Sequence, residues 1–276
     1  MYIQEFSVKK LWDRLDLSWE HINHDVNIIV GINGCGKTTL LNLIYDYYKD
    51  EKIKKDLATD IYGNEIDIPI QIIRSFDIPS KTKKKTESNL LSDLNGVIMQ
   101  NNAGTSFFDY RMQMLNFPER AERITKRIDC FFNIINSLFE ETGKYIEIDK
   151  VNNKLIFKIK GTSCRLVDNE GNYLTDNKGN KLTTGDSSIQ IEQLSSGEKQ
   201  MLLILTMVFL QDEKPYVLLL DEPEISLHIS WQNRLIEIIR TINPNCQLIL
   251  TTHSPSIFAE GWMDKITFMN KLIINS

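Results

Sequence analysis

The segment Gly31–Thr38 has the sequence GINGCGKT, which fits the phosphate-binding pattern G-x-x-x-x-G-K-[ST] at every defined position. Glycines in such a loop let successive backbone N–H groups point into one concavity that suits a phosphate. The Lys37 ammonium group would neutralise the β- and γ-phosphates of a nucleotide, and the Thr38 hydroxyl group would bind Mg²⁺. We therefore predict an ATP site with these nucleotide-binding residues: Asn33, Gly34, Cys35, Gly36, Lys37, Thr38 and Thr39.

A second group of candidate residues follows the uninterrupted apolar run 216–220. Such a run predicts a strand that is covered on both faces, and open α/β sheets bind ligands at the carboxyl ends of these strands. Asp221 is placed to hold Mg²⁺ together with Thr38, and Glu222 is placed to orient or deprotonate the attacking water. The alternative is an acidic turn at a strand end without a catalytic role.

Two further segments carry polar residues at the ends of predicted elements. Ser195 and Glu198 have the S-x-x-E spacing of a capping box, which predicts a helix whose exposed N-terminus can receive an anion. The segment 247–252 predicts a strand, and His253 lies at its tip. A lone histidine at a strand end is usually structural, but this one is the last of an ordered series of motifs.

The elements that must position these residues are also visible in the sequence. The segment 26–30 predicts a buried strand before the phosphate loop, a helix begins near Thr39, and 69–76 predicts another strand. Apolar residues at spacings of three and four predict an amphipathic helix over 116–141, followed by a β-hairpin around 152–153. We predict one domain over 1–276, with a helical insertion or lid at 77–143 and a β-hairpin with a flexible loop at 144–188.

Composition narrows the class of protein. The 276 residues carry a formal net charge of −5, which implies no global attraction to nucleic acid. We find no bilayer-spanning apolar stretch and no signal-peptide pattern, and the four cysteines lack C-x-x-C spacing, so we expect a cytoplasmic protein that does not bind a membrane. Cys35, at a helix N-terminus, is either a reactive thiol or a small residue that fills the loop, and the second interpretation is favoured.

The motif order of phosphate loop, Leu-Ser-Ser-Gly-Glu, Leu-Asp-Glu-Pro and histidine resembles that of the ATP-binding-cassette class of ATPases, over roughly 1–76 and 189–270. The resemblance implies that ATP is sandwiched between two copies of the chain. His253 would contact the γ-phosphate within its own subunit, and Ser226–His228 would be the D-loop that crosses the dimer interface. The signature motif would complete the nucleotide site of the partner subunit, and it consists of Ser195, Ser196, Gly197 and Glu198.

The sequences of these motifs are similar to those of one branch of the class. Glu-Pro-Glu followed by Ser-Leu-His is similar to the OLD and RecF-like ATPases, relatives of the SMC proteins, and to small AAA_21-type ATPases. The N-terminal stretch 3–19 also looks like their opening β-hairpin. The resemblance implies an α/β, ABC-ATPase head-like fold with a mixed or parallel central sheet, an N-terminal antiparallel β subdomain and a helical lid. The gap between Lys37 and Ser195 lacks sustained heptads, which excludes a long coiled-coil arm.

The function implied is an ATP-hydrolysing switch that forms a homodimer or higher oligomer and controls a separate effector, such as a nuclease or toxin, in bacterial anti-phage defence. Only 23 residues follow His253 in this sequence, so we expect no nuclease domain of the OLD type after it. The alternatives are a RecF- or SMC-like DNA-repair ATPase and the nucleotide-binding subunit of a transporter.

The sequence leaves alternative roles for several residues. The glutamine that senses Mg²⁺ in the cassette class could be Gln71 or Gln100, or Asp77 could replace it. The lysines at 81–85 either contact nucleic acid or form a solvated surface. Trp12 and Lys10 either face adenine or pack on the sheet.

Overall fold

A computed structural model describes residues 1–51, 53, 57–74, 89–99, 106–149, 155–161, 172–173 and 186–275. The strands are β1 (Phe6–Leu11), β2 (Leu15–Trp19), β3 (Val26–Val30), β4 (Ile61–Gly63), β5 (Ile70–Ile73), β6 (Lys144–Ile148), β7 (Leu155–Ile159), β8 (Ser187–Ile189), β9 (Tyr216–Asp221), β10 (Cys246–Thr252), β11 (Ile266–Phe268) and β12 (Ile273–Asn275). The α-helices are α1 (Lys37–Tyr48), α2 (Asn89–Ile98), α3 (Phe107–Asn116), α4 (Ala121–Phe139), α5 (Ser196–Leu210), α6 (Ile229–Ile242) and α7 (Met269–Leu272).

The chain divides into two compact units. The first comprises Met1–Asp93 and Leu203–Ser276, and the second comprises Leu94–Leu202. The first unit contains a five-stranded sheet of order β11-β3-β10-β9-β5, in which every neighbouring pair is parallel. Strands β9 and β10 are buried along their whole length, which explains their nearly continuous apolar sequences.

An antiparallel sheet of order β12-β2-β1-β4 also belongs to the first unit. Its β1–β2 pair is the hairpin that the sequence predicted at the N-terminus. The carboxyl end of α1 is attached to this sheet, because the Tyr47 hydroxyl donates to the Gly63 carbonyl (3.3 Å) and the Tyr48 hydroxyl donates to the Asn64 carbonyl (3.0 Å). The rings of Phe6 and Tyr47 meet edge to face, with centroids 5.8 Å apart. These contacts hold the carboxyl end of α1, the helix that follows the phosphate loop, against the antiparallel sheet.

The second unit packs helices with a three-stranded antiparallel sheet of order β6-β7-β8. The helix predicted over 116–141 begins later, because Asn116 ends α3, Pro118–Arg120 form a 3₁₀ turn and α4 starts at Ala121. Gly143, with φ of 65°, ends the helical segment in the left-handed region that glycine tolerates. Most of the predicted loop at 161–188 and the lysines at 81–85 lie outside the described residues.

Candidate functional site

The predicted site residues of the first unit meet at one edge of the parallel sheet. In the strand register, Thr252 pairs with Val30 and Thr251 pairs with Asp221, so β3, β9 and β10 end side by side. The phosphate loop follows the first of these strands, Glu222 follows the second and His253 follows the third. Residues that are far apart in the chain therefore become neighbours through the sheet alone.

These residues surround a cavity of about 390 Å³. Among the described residues, its lining is Trp12, Asn33, Gly34, Gly36, Lys37, Thr38, Thr39, Glu222 and His253. The helix α1 begins at the cavity, and its N-cap residue Gly36 has φ of 99° and no side-chain cap. The first backbone N–H groups of α1 are thus left for an anion.

Lys37 reaches the cavity with a side chain that is only 4% exposed. Its Nζ donates to the Gly31 carbonyl at 3.1 Å and lies 2.5 Å from His253 Nε2 and 3.8 Å from Glu222 Oε1. His253 Nε2 is in turn 3.0 Å from Glu222 Oε1. The structure therefore joins a cation, an imidazole and a carboxylate in one contact group, which can act on a phosphate and on a water molecule beside it.

Thr38 and Asp221 bring together two oxygen atoms that could bind a metal ion. The Thr38 hydroxyl donates to Asp221 Oδ1 at 3.0 Å, and the same oxygen accepts a 2.7 Å hydrogen bond from the Thr251 hydroxyl. Ligand oxygens about 2.1 Å from Mg²⁺ in octahedral geometry lie about 3.0 Å apart when they are adjacent. The Thr38–Asp221 spacing and the hard oxygen donors fit Mg²⁺, which keeps several waters and needs few protein ligands.

Glu222 adopts a strained backbone conformation at this edge. Its φ is 47°, in the left-handed region that non-glycine residues rarely enter. Its N–H group donates to the carbonyl and the hydroxyl oxygens of Thr251, each at 3.1 Å. Thr251, which the sequence analysis did not single out, thus orients both acidic residues, because it also donates to Asp221. Its position as the next-to-last residue of a strand with a polar tip was the available signal.

The structure also locates four other candidate residues of the first unit. The Cys35 side chain packs against the hydrophobic core and is absent from the described lining of the cavity, which agrees with a residue that fills the loop. Gln71 lies inside β5, paired with Leu218, and does not line the cavity. Of the two residues considered for contact with adenine, Trp12 lines the cavity whereas Lys10 does not.

The signature segment belongs to the second unit. Ser195 and Ser196 are exposed, whereas Gly197 and Glu198 are buried. The predicted capping box is present, since the Glu198 N–H donates to Ser195 Oγ (3.2 Å) and the Ser195 N–H donates to Glu198 Oε2 (2.7 Å). The Glu198 carboxylate therefore faces its own chain, and its contribution to the segment is to hold the loop.

The Glu198 carboxylate has further partners inside the second unit. Lys144 Nζ lies 2.8 Å from Oε2 and 3.0 Å from Oε1, and the Thr142 hydroxyl donates to Oε1 at 2.9 Å. Burial raises the pKa of Glu198, but hydrogen bonds from Lys144, Ser195 and Thr142 together hold that pKa below its ordinary value. The sequence analysis missed Lys144, because its partner lies 54 residues away in the chain.

Comparison with known proteins identifies the family of this chain. A family model described as "AAA domain, putative AbiEii toxin, Type IV TA system" (AAA_21) matches residues 95–259, more than half of the chain. The chain belongs to the AAA_21 family. This AAA_21 protein is 25% identical over 270 residues to the "Septu protein PtuA" of Bacillus thuringiensis, covering 85% of this chain and 67% of that protein.

Two other comparisons found a similar protein and a similar fold. It is 32% identical over 97 residues to the "Retron Vc95 probable ATPase" of Vibrio cholerae serotype O1 biovar El Tor, covering 31% of this chain and 19% of the retron protein. The crystal structure of an SMC head bound to the C-winged helix domain of ScpA superposes with a TM-score of 0.52 at 15% identity, covering 94% of this chain and 91% of that one. The predicted ABC-ATPase head-like fold is thus confirmed. Among the described residues, no helix has the length and apolar character needed to cross a membrane.

Proposed function

We propose that this protein is a Mg²⁺-dependent ATPase in which ATP binding closes two copies of the chain onto each other and hydrolysis separates them. The observation that carries the proposal is the convergence of Lys37, Thr38, Glu222 and His253 on one cavity, with Asp221 hydrogen-bonded to Thr38 at its edge. ATPase relatives and membership of the AAA_21 family support the same reaction class.

Each residue has a chemical role in this proposal. Lys37 binds the β- and γ-phosphates, while the uncapped N-terminus of α1 donates its N–H groups to phosphate oxygens. Thr38 and Asp221 hold Mg²⁺, which when bound neutralises charge on the phosphate oxygens. Glu222 accepts a proton from the attacking water, and His253 contacts the γ-phosphate from the neighbouring strand end.

The second half of the site comes from the partner copy in this proposal. Ser195 and Ser196 are the exposed members of the signature segment, so their hydroxyl groups contact the γ-phosphate held by the other copy. Gly197 lets the backbone approach closely, and Glu198 keeps the loop in shape through its capping hydrogen bonds. The segment Ser226–His228 lies against the partner as the D-loop.

The biological role proposed is control of a separate effector, a nuclease or a toxin, in bacterial anti-phage defence in the cytoplasm. It is supported by the resemblance to small OLD-like ATPases of such systems and by the similarity to the Septu and retron proteins. Affinity purification of the native protein from its host tests this role. Recovery of a nuclease or toxin supports it, whereas recovery of a membrane permease contradicts it.

A mixing experiment tests the shared site. Lys37→Ala removes the phosphate-binding cation and Ser195→Arg blocks the signature segment, so each variant alone should lose ATPase activity. A hybrid dimer of the two variants keeps one complete site, built from the Lys37 of one copy and the Ser195 of the other. We expect an equal mixture to recover roughly a quarter of the parental turnover, because half of the randomly formed dimers are hybrids with one of two sites intact.

The mixture also has a matched control. Lys49→Ala changes an exposed lysine just past the carboxyl end of α1 and should keep full activity. A mixture as inactive as its two components would contradict the shared site, and full activity of Ser195→Arg alone would show that the signature segment takes no part.

A further inference from the structure

The segment Thr252–Ser254, which carries His253, is held by a single carboxylate oxygen. Glu224 Oε1 accepts hydrogen bonds from the His253 N–H (2.7 Å), the Ser254 N–H (3.2 Å) and the Thr252 hydroxyl (2.8 Å). Hydrogen bonds to an ionised acceptor are stronger than those between neutral groups. Glu224 also follows Glu222 by two residues, so the same turn carries the proposed base and the group that holds the histidine segment.

Gln232 on α6 connects this arrangement to a third segment. Its Oε1 accepts a 2.7 Å hydrogen bond from the Ser254 hydroxyl, and its Nε2 donates to the Leu227 carbonyl at 3.0 Å. The same Nε2 lies 3.4 Å from the Glu224 carbonyl oxygen. One amide side chain thus contacts the histidine segment, the acidic turn and the segment Ser226–His228.

The position of the His253 ring depends on these contacts. The ring is 33% exposed, and its Nε2 lies 3.0 Å from Glu222 Oε1 and 2.5 Å from Lys37 Nζ. The backbone hydrogen bonds at His253 and Ser254 fix the main chain from which the ring projects toward these two partners. Ser226 in the connected segment has φ of 70°, so that segment also holds a strained conformation that local contacts must maintain.

We propose that Glu224 and Gln232 are positioning residues that fix His253 relative to Glu222 and connect it to the segment Ser226–His228. The inference rests on the proposed function, in which His253 contacts ATP and Ser226–His228 lies against a second copy. A contact that moves the Leu227 carbonyl would reach Ser254 through the two hydrogen bonds of Gln232. Dimer contact and the position of the histidine would then be linked within one chain.

The first measurement is independent of ATP hydrolysis. Amide hydrogen exchange of His253 and Ser254, followed by NMR in the nucleotide-free protein, reports directly on the hydrogen bonds to Glu224. We expect Glu224→Ala to accelerate exchange of the His253 amide by roughly tenfold or more, because it loses a charge-assisted acceptor at 2.7 Å. The Ser254 amide should respond less, because it also donates to the Thr252 hydroxyl at 2.9 Å. Glu224→Gln keeps one oxygen acceptor and should show an intermediate change. Gln232→Leu removes the Ser254 hydroxyl partner and should act mainly at Ser254.

The second measurement separates positioning from stability. We expect Glu224→Ala to lower kcat for ATP by about ten- to a hundredfold and Gln232→Leu by about fivefold, in proportion to the hydrogen bonds lost, with little change in KM. The control is Glu237→Ala, an exposed glutamate on α6 that should match the parent in exchange and kinetics.

Unchanged exchange at His253 and Ser254 in Glu224→Ala would overturn the proposal. The proposal would also be overturned if exchange in Glu224→Ala were faster but its kcat equalled that of Glu237→Ala. The hydrogen bonds from Glu224 would then have no effect on the reaction. If Glu224→Ala does not fold, Glu224→Gln and Gln232→Leu provide the same two measurements. A parent protein without ATPase activity would refute the proposed function, and the exchange result would then decide whether the hydrogen-bonded connection exists.

Discussion

The two helices that follow the phosphate loop and the signature segment begin in opposite ways. Helix α1 starts after Gly36 with no side-chain cap, so its first N–H groups are open toward the cavity. Helix α5 starts after Ser195 with a complete capping box, in which Glu198 and Ser195 satisfy each other's backbone N–H groups. The N-terminus of α1 leaves its N–H groups available to a bound anion, whereas the N-terminus of α5 is already occupied by the Glu198 carboxylate.

The difference shows how the capped end could still serve a nucleotide. In the capping box the Ser195 hydroxyl oxygen accepts from the Glu198 N–H, which leaves the hydroxyl hydrogen free to donate. Ser195 is exposed while Glu198 is 1% exposed in its side chain. We therefore expect the α1 end to supply most of the binding energy for phosphates, and the signature segment to contribute one or two directed hydrogen bonds.

The largest expected effect separates binding by the open helix end from chemistry at the strand end. Glu222→Gln should lower ATP turnover by about a thousandfold, because the amide cannot accept the proton of the attacking water. ATP affinity, measured by calorimetry, should stay close to that of the parent because Lys37 and α1 are unchanged. Glu237→Gln on α6 is the control, and undiminished turnover in Glu222→Gln would remove Glu222 from the mechanism.

The next effect tests whether the carboxylate at the capped helix end needs its cation. Lys144→Met should lower the free energy of unfolding by about 3 kcal/mol, because it leaves the buried Glu198 carboxylate without its ion partner. Urea denaturation followed by circular dichroism measures the change. Lys158→Met is the matched control on the same sheet, since its pairing with Glu147 is far more exposed and should contribute less than about 1 kcal/mol.

The pH dependence of the same variant gives a sharper version of this test. Because the pKa of Glu198 is lowered in the folded protein, its stabilising contribution is complete above the ordinary value of about 4.3. That contribution is lost as the pH falls through the lower folded value. The difference between the parent and Lys144→Met should therefore shrink as the pH falls below about 4. A difference that is constant from pH 7 to pH 3 would show that the Lys144 contact acts through packing and not through charge.

The smallest effect concerns the cap itself. Ser195→Ala removes the side-chain oxygen that accepts from the Glu198 N–H and should lower stability by about 1 kcal/mol. Ser196→Ala, one residue later and also exposed, should change stability by less than about 0.5 kcal/mol. If the two variants unfold at the same denaturant concentration, the capping box contributes nothing measurable and the contrast with α1 loses its energetic basis.

Local patterns made much of the candidate site predictable from sequence. The strand at Val26–Val30 and the capping box at Ser195 are set by residues close together in the chain, and both are present as predicted. The roles of Glu224 and Lys144 were not predictable, because their partners lie 29 and 54 residues away and depend on how strands and helices pack. The start of α4 was also missed, since the apolar period continues through the break at Pro118.

The attachment of α1 to the antiparallel sheet has a geometric consequence for the phosphate loop. A Cβ atom at Gly63 would lie 2.5 Å from the Tyr48 hydroxyl oxygen, so any larger residue there would displace the Tyr48 side chain and its hydrogen bond to the Asn64 carbonyl. That hydrogen bond is one of the contacts that attach the carboxyl end of α1 to the sheet. A helix of 12 residues is about 18 Å long and nearly rigid, so a shift at one end becomes a tilt at the other. The contacts that hold α1 against the sheet thus lie one helix length from the phosphate loop, beside a glycine outside the described lining of the cavity.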